Sequence, residues 1–326
     1  MALGRWFFSR VDKLIYLFGI GLFIFILSKI DFGYYLSLLN QIDIIYIVGA
    51  IFLGLPIIMI RSFRWKMILS TMGISYSFKD SFLAYLSSIY IGSFTPARIG
   101  EFSKVYYLKS DGHPLVPGIV SVFLDRLSDL LFLLIVCLAS FFYFTSYLDS
   151  SSVIFFSLVI LIVLILLIFI VYKKGIYKSV LKKIFFGLTP KKYRKNANLV
   201  FSDFVERFKQ FKLNDYLVIS FLTFFSWLLS FVMSWWIVKA MNLDYLGFIY
   251  TAIVLALSML ISLVPVSIYG IGTRDALVIL LFGLKDVAAE KAIIFSMLLL
   301  LITVATTIFG LVAWILKPIK LKDLRK

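Results

Sequence analysis

From Val153 to Tyr172 the chain runs for 20 residues without one charged side chain, the length a helix needs to cross the hydrocarbon core of a bilayer. Such a stretch leaves the fold little choice. Lipid offers no partner to a peptide N–H or C=O, so an embedded segment satisfies its backbone internally, as a helix or in a closed barrel. Continuous apolar runs of this length, without period-2 alternation, select the helix. Similar runs recur at Leu14–Leu27, Ile44–Ile60, Val116–Tyr143, Tyr216–Val238 and Ala292–Leu316. With 62% of residues apolar, 15% charged and a mean hydropathy of +1.02, the composition belongs to a chain whose main solvent is lipid. The expected fold is all-α and polytopic, a single integral membrane domain over residues 1–326 with about six full transmembrane helices.

The formal charge is +16, from 33 basic and 17 acidic residues. In a soluble chain that excess would suggest nucleic acid. Here the basic residues cluster between spans, as the positive-inside rule requires, so no nucleic-acid partner is expected. Lys173–Asp215 carries twelve Lys/Arg against three Asp/Glu, which makes 173–215 a cytoplasmic loop. Within it Ile176, Tyr177, Val180, Leu181 and Ile184 share one helical face, and Phe201, Phe204, Val205 and Phe208 another, as in helices lying on an anionic leaflet. Arg5, Arg10 and Lys13 precede the first run and Lys317–Lys326 is basic, so both termini are expected in the cytoplasm of a multi-pass cell-membrane protein. No small-residue cleavage site follows the first run, which reads as an uncleaved span. Trp235 and Trp236 read as belt anchors. The single cysteine, Cys137, and single histidine, His113, exclude Cys/His metal sites and an intrachain disulfide, and no cofactor or metal is expected.

Charge bookkeeping leaves two segments that do not fit as simple spans. Residues 78–110 are apolar but rich in serine, leave the cytoplasmic side and return to it. Residues 245–284 do the same from the outer side. Two re-entrant hairpins of opposite orientation result, forming an inverted pseudo-repeat. Their tips share chemistry: Pro96, Arg98, Gly100 and Glu101 in the first, Pro265, Gly270, Gly272, Arg274 and Asp275 in the second. Proline removes a donor and glycine admits unusual backbone angles. Non-helical backbone at membrane depth survives only inside protein or beside a wet cavity, and opposed broken helices mark the midplane site of transporters.

An ionised side chain at the bilayer centre costs roughly 2.5–3.5 kcal/mol even on lenient scales. Arg98, Glu101, Asp125, Arg126, Asp129, Arg274 and Asp275 therefore need partners or water, and they are the candidate substrate-binding residues. Asp125 and Asp129 share a helix face, with Arg126 three residues before Asp129. For these three, a salt-bridge network locking the hairpins to the Val116 span and a direct role in binding are equally compatible with the sequence. For Arg98 and Arg274 binding leads, because a guanidinium fork matches phosphate.

Phe94-Thr-Pro-Ala-Arg-Ile-Gly-Glu101 with Tyr106-Tyr-Leu, then Leu124-Asp-Arg-Leu-Ser-Asp129, then Pro265 with Gly270-Ile-Gly-Thr-Arg-Asp275, resemble the lysylphosphatidylglycerol synthase transmembrane, or flippase-like, family. The resemblance covers nearly the whole chain. It implies a domain that moves a lipid headgroup between leaflets: an anionic or aminoacylated phospholipid, or a polyprenyl-phosphate-linked group. Asp275 stands where the family commonly has Glu, and the soluble aminoacyl-transferase domain of fused members is absent here, so lysyl transfer by this chain alone is not expected. The alternatives are an intramembrane transferase acting on polyprenyl-phosphate lipids and a scaffold for a soluble lipid-modifying enzyme. Expected partners are membrane lipids with anionic headgroups; a soluble synthetase or glycosyltransferase and a second copy of the chain are further candidates. The topology predicts that residues 284–290 are labelled by an impermeant reagent from the external face only; labelling from the cytoplasm would overturn both the re-entrant assignment and the inverted repeat.

Overall fold

The computed structural model describes residues 21–26, 28, 32–93, 95, 100–144, 158, 161, 162, 165, 210–263, 267 and 270–318. Among them there is no strand. The helices are α1 (Phe32–Leu39), α2 (Ile44–Thr71), α3 (Phe78–Ser93), α4 (Ser103–Ser110), α5 (Leu115–Phe144), α6 (Leu213–Ala240), α7 (Gly247–Leu263), α8 (Thr273–Gly283) and α9 (Ala289–Leu316), with a 3-10 turn at Asp244–Leu246 before α7. Among the described residues, four segments are long and apolar enough to cross a membrane: α2, α6, α7 with its preceding turn, and α9. At 30 residues α5 is longer still, about 45 Å, and carries Asp125, Arg126 and Asp129 in its first half. The all-helical expectation holds. Most of the Val153–Tyr172 span and most of the 173–215 loop lie outside the described residues.

The chain forms two compact units. One contains Met1–Met59, Leu83–Ser103 and Phe225–Lys317; the other contains Ile60–Phe82, Lys104–Phe224 and Pro318–Lys326. Helices α2, α3 and α6 contribute to both.

In the first unit α9 is the common wall, with α8 and α1 against it and α7 against α8. Leu301, Val304, Ile308, Val312 and Ile315 are exposed on one side of α9, as a lipid-facing stripe should be, whereas Ser296, Leu299, Thr307, Gly310 and Ala313 are buried on another. Toward the end of α9 the buried residues Thr307, Gly310 and Ala313 are small, which lets backbones approach closely, the way helices in lipid associate. A Cβ on Gly310 would strike the Leu86 carbonyl and the Tyr90 side chain of α3, and one on Gly54 of α2 would strike Thr306. Trp236 of α6 lies over Gly49 of α2, so it packs in a contact between these helices.

Helices α7 and α8 run antiparallel. The Tyr250 hydroxyl near the start of α7 donates to the Leu281 carbonyl at the end of α8, and Lys285 lies 5.4 Å from the Tyr250 ring centre. The reversal between them uses Gly270 and Gly272, at φ +75° and +84°, a region closed to most side chains. With 11 residues α8 is about 16 Å long, half the thickness of a bilayer core. It begins at Thr273, so Arg274 and Asp275 stand in its first turn.

The second unit is tied by an apolar cluster of Ile68 and Met72 from α2, Val120 and Leu124 from α5, and Phe211 and Ile219 at the start of α6. Before α3, Tyr76 donates its hydroxyl to Asp111 at 2.5 Å, just after α4, and meets the His113 ring edge-on at 5.7 Å. Burial, and then the neighbouring Asp111 carboxylate, push the Tyr76 phenol well above its ordinary range, so it stays a donor. His113 packs against this clasp. Cys137 is buried, as a packing residue should be. The close contact at Gly310 predicts that Gly310→Leu lowers stability by about 1–3 kcal/mol, while Gly283→Ala, where a Cβ meets nothing within 4 Å, stays within about 0.5 kcal/mol; unfolding midpoints of the purified proteins check the difference.

Candidate functional site

In the second unit, buried charge collects around Asp125. The expected end of span two at Ile60 is an underestimate, since α2 continues to Thr71 and takes Arg61, Arg64 and Lys66 into the helix. Arg64 is fully buried. Its Nε and Nη2 donate to Asp125 Oδ1 at 2.9 and 2.7 Å, Nη1 donates to Asp129 Oδ1 at 2.8 Å, and Nη2 to Asp129 Oδ2 at 3.0 Å. Nη1 also donates to Thr223 Oγ1 of α6 at 2.7 Å. One fork thus grips two carboxylates one turn apart on α5 and a hydroxyl on a third helix.

The second oxygen of Asp125 is taken by Lys104 of α4, at 2.8 Å, and by Arg126 at 3.1 Å. Lys104 is fully buried and sits 5.3 Å from the Trp65 ring centre, while the Trp65 indole donates to Ser121 at 2.9 Å. A cation beside a tryptophan face in a desolvated site gains quadrupole attraction in addition to its ion pair. Arg126 stands 3.6 Å from Asp129, the expected i,i+3 pair, with 28% of its side chain exposed.

In the first unit, Arg274, Asp275 and Ser296 form a second buried network. The Asp275 carboxylate reaches back to accept the Gly272 amide at 2.8 Å, capping α8 as an acid in a first helical turn does. Its other oxygen accepts from Arg274 Nη2 at 3.2 Å and from the Ser296 hydroxyl of α9. Arg274 Nε donates to that hydroxyl at 2.8 Å, and Nη2 to the Ser296 carbonyl at 3.0 Å. The short reach of Asp275 is therefore used within its own turn. Glu101, 2% exposed, lies across Gly92, where a Cβ would meet its Cγ at 2.6 Å. At Gly100 the requirement is space, since a Cβ would stand 2.6 Å from the Ile91 carbonyl oxygen.

Of the residues singled out from sequence, Asp125, Arg126 and Asp129 come together in one unit, Arg274 and Asp275 in the other, and Glu101 in the turn after α3. Pro96, Arg98 and Pro265 lie outside the described residues. Sequence reasoning missed Arg64 and Lys104 as site residues and counted them only as cytoplasmic charge. A signal was present: Trp65, Ile68, Leu69 and Met72 continue the helical apolar period beyond Arg64, and Tyr107 and Leu108 follow Lys104 at i+3 and i+4, so both cations fall on buried faces. Removing one member of a buried ion pair strands its partner, so Asp125→Ala is expected to cost about 3–5 kcal/mol; a native-like unfolding midpoint in detergent would contradict the geometry.

Helices with charge sealed inside them and apolar side chains outside suit a multi-pass membrane protein, and relatives are consistent with it. A stretch of 87 residues is 33% identical to "UPF0104 membrane protein MJ1595" of Methanocaldococcus jannaschii, covering 26% of this chain and 26% of that protein. The match thus spans about a quarter of that relative's length. No solved structure matches the chain. Residues 13–310 match the family described as the lysylphosphatidylglycerol synthase TM region, and on that coverage the chain belongs to this family of membrane proteins.

Proposed function

We propose that this protein is a flippase-like transporter that moves a lipid headgroup between leaflets, holding the headgroup phosphate at the two helix breaks while the acyl tails stay in lipid. The substrate class is an anionic or aminoacylated phospholipid, or a polyprenyl-phosphate-linked group. The observation that carries this reading is that one helix of one unit contacts the residues flanking both breaks, Ser93 before the first and Arg274 after the second. Helix α3 runs antiparallel to α9, with Leu86 and Tyr90 at Gly310 and the Ser93 hydroxyl 3.3 Å from that of Thr307. The first break follows Ser93. The second break hands over to Arg274, tied to Ser296. Ser296 and Thr307 are 11 residues apart, about 16 Å along α9.

In this reading 78–110 and 245–284 are re-entrant hairpins entering from opposite faces, and both termini are cytoplasmic. Two features support this for the second segment: α8 is too short to cross, and the Tyr250 contact with Leu281 holds the start of α7 beside the end of α8. The Tyr76 contact with Asp111 does the same for the first. Arg98 and Arg274 supply guanidinium forks to the phosphate, with Glu101 and Asp275 as their counter-charges. Through Lys104, the carboxylate of Asp125 anchors the helix that returns from the first break. Alternating access comes from rocking of one half against the other about the site.

A fluorescent-lipid transfer assay in proteoliposomes tests the reading. Arg98→Ala/Arg274→Ala should reduce headgroup transfer by about tenfold or more, the loss expected of at least one charge-assisted hydrogen bond. Transfer left unchanged by the double substitution would refute the site. No transfer by the native chain with any headgroup would favour the transferase or the scaffold instead.

A further inference from the structure

Ser296 is a serine in the middle of a strongly apolar helix segment, fully buried, and the only member of its network that is neither charged nor part of the second break. A hydroxyl has one proton to give. Here it goes to Asp275 Oδ1, so the oxygen presents a lone pair to Arg274 Nε at 2.8 Å. The backbone carbonyl of the same residue accepts Arg274 Nη2 at 3.0 Å. Two acceptors on one residue thus meet two donors along one edge of the guanidinium. A planar fork held along one edge has its plane fixed, and with it the direction of its opposite edge.

We propose that Ser296 is the positioning residue for Arg274, setting the plane in which the guanidinium meets an anionic lipid headgroup. This rests on the transporter reading for the identity of the headgroup and deepens it by assigning the group that aims the arginine. Ser296→Ala removes both roles of the hydroxyl and keeps the carbonyl, so the guanidinium stays tethered through Nη2, to that carbonyl and to Asp275 Oδ1 at 3.2 Å, but loses the Nε contact that holds its edge at a second atom. Alanine is smaller than serine and favours helix, so α9 is left intact. Ser296→Thr restores the hydroxyl.

The test measures binding and transport separately with the full chain. Binding is read by titrating the protein in phosphatidylcholine nanodiscs with fluorescent phosphatidylglycerol, and transport by the proteoliposome assay. Ser296→Ala should weaken binding about tenfold, the worth of one charge-assisted hydrogen bond, with an unfolding midpoint close to native. Ser296→Thr should bind within about twofold of native. In an Arg274→Lys background Ser296→Ala should add less than about twofold, because a residue acting through Arg274 has nothing left to aim. Binding indifferent to Ser296, or a tenfold loss repeated in the Arg274→Lys background, would overturn the proposal whatever transport does. Binding that depends on Ser296 in this way without lipid movement would uphold it and refute transport.

Discussion

A charge placed at membrane depth has to find its opposite within the protein, and the local arrangement of each unit follows from how that requirement is met. Around Asp125 the solution joins α2, α4, α5 and α6 through one carboxylate and the fork of Arg64. Replacing such a cluster by hydrocarbon would have been the simpler way to hold helices together, since buried ion pairs contribute little net stability against well-packed apolar side chains. What ion pairs and their hydrogen bonds add is direction. Arg64 accepts one rotation of α5, the one that presents Asp125 and Asp129 together, and one depth of α6, the one that presents Thr223.

The first unit meets the same requirement on a smaller scale. Asp275 ends the chain reversal by capping α8, neutralises the adjacent arginine and receives a hydroxyl from α9. A carboxylate one methylene longer would place its oxygens farther from the Gly272 amide, so aspartate suits the compact turn. Glycines then allow the backbones to approach. Gly54 and Gly310 lie where another helix would otherwise collide, and the lipid-facing stripe of α9 falls on a different side.

Much of this was legible in the sequence because lipid imposes simple rules. Apolar length located both ends of α5, α6 and α9 to within a few residues, and the i,i+3 spacing of Arg126 and Asp129 announced their pairing. Reading charge as the end of a span failed at Arg61 and Arg64, because a paired arginine does not stop a helix that an unpaired one would. Partners 61 residues apart, such as Arg64 and Asp125, leave no local pattern linking them. Ser296 was silent for a different reason: a lone serine in an apolar run commonly bonds its own helix, and only tertiary structure shows that this one serves Arg274 and Asp275.

The interleaving of the two units bears on how the protein is made. Each unit is assembled from separated stretches of chain, and Phe225–Lys317, which supplies α7, α8 and α9, leaves the ribosome after the other stretches of its own unit. Arg64 emerges 61 residues before the carboxylate of Asp125 and 159 before the hydroxyl of Thr223. The insertion machinery therefore handles α2 as a helix with an uncompensated charge near one end, and its final depth is settled only when α5 arrives beside it. Helices of this kind are inserted first and seated later, in an order written by the spacing of their counter-charges along the message.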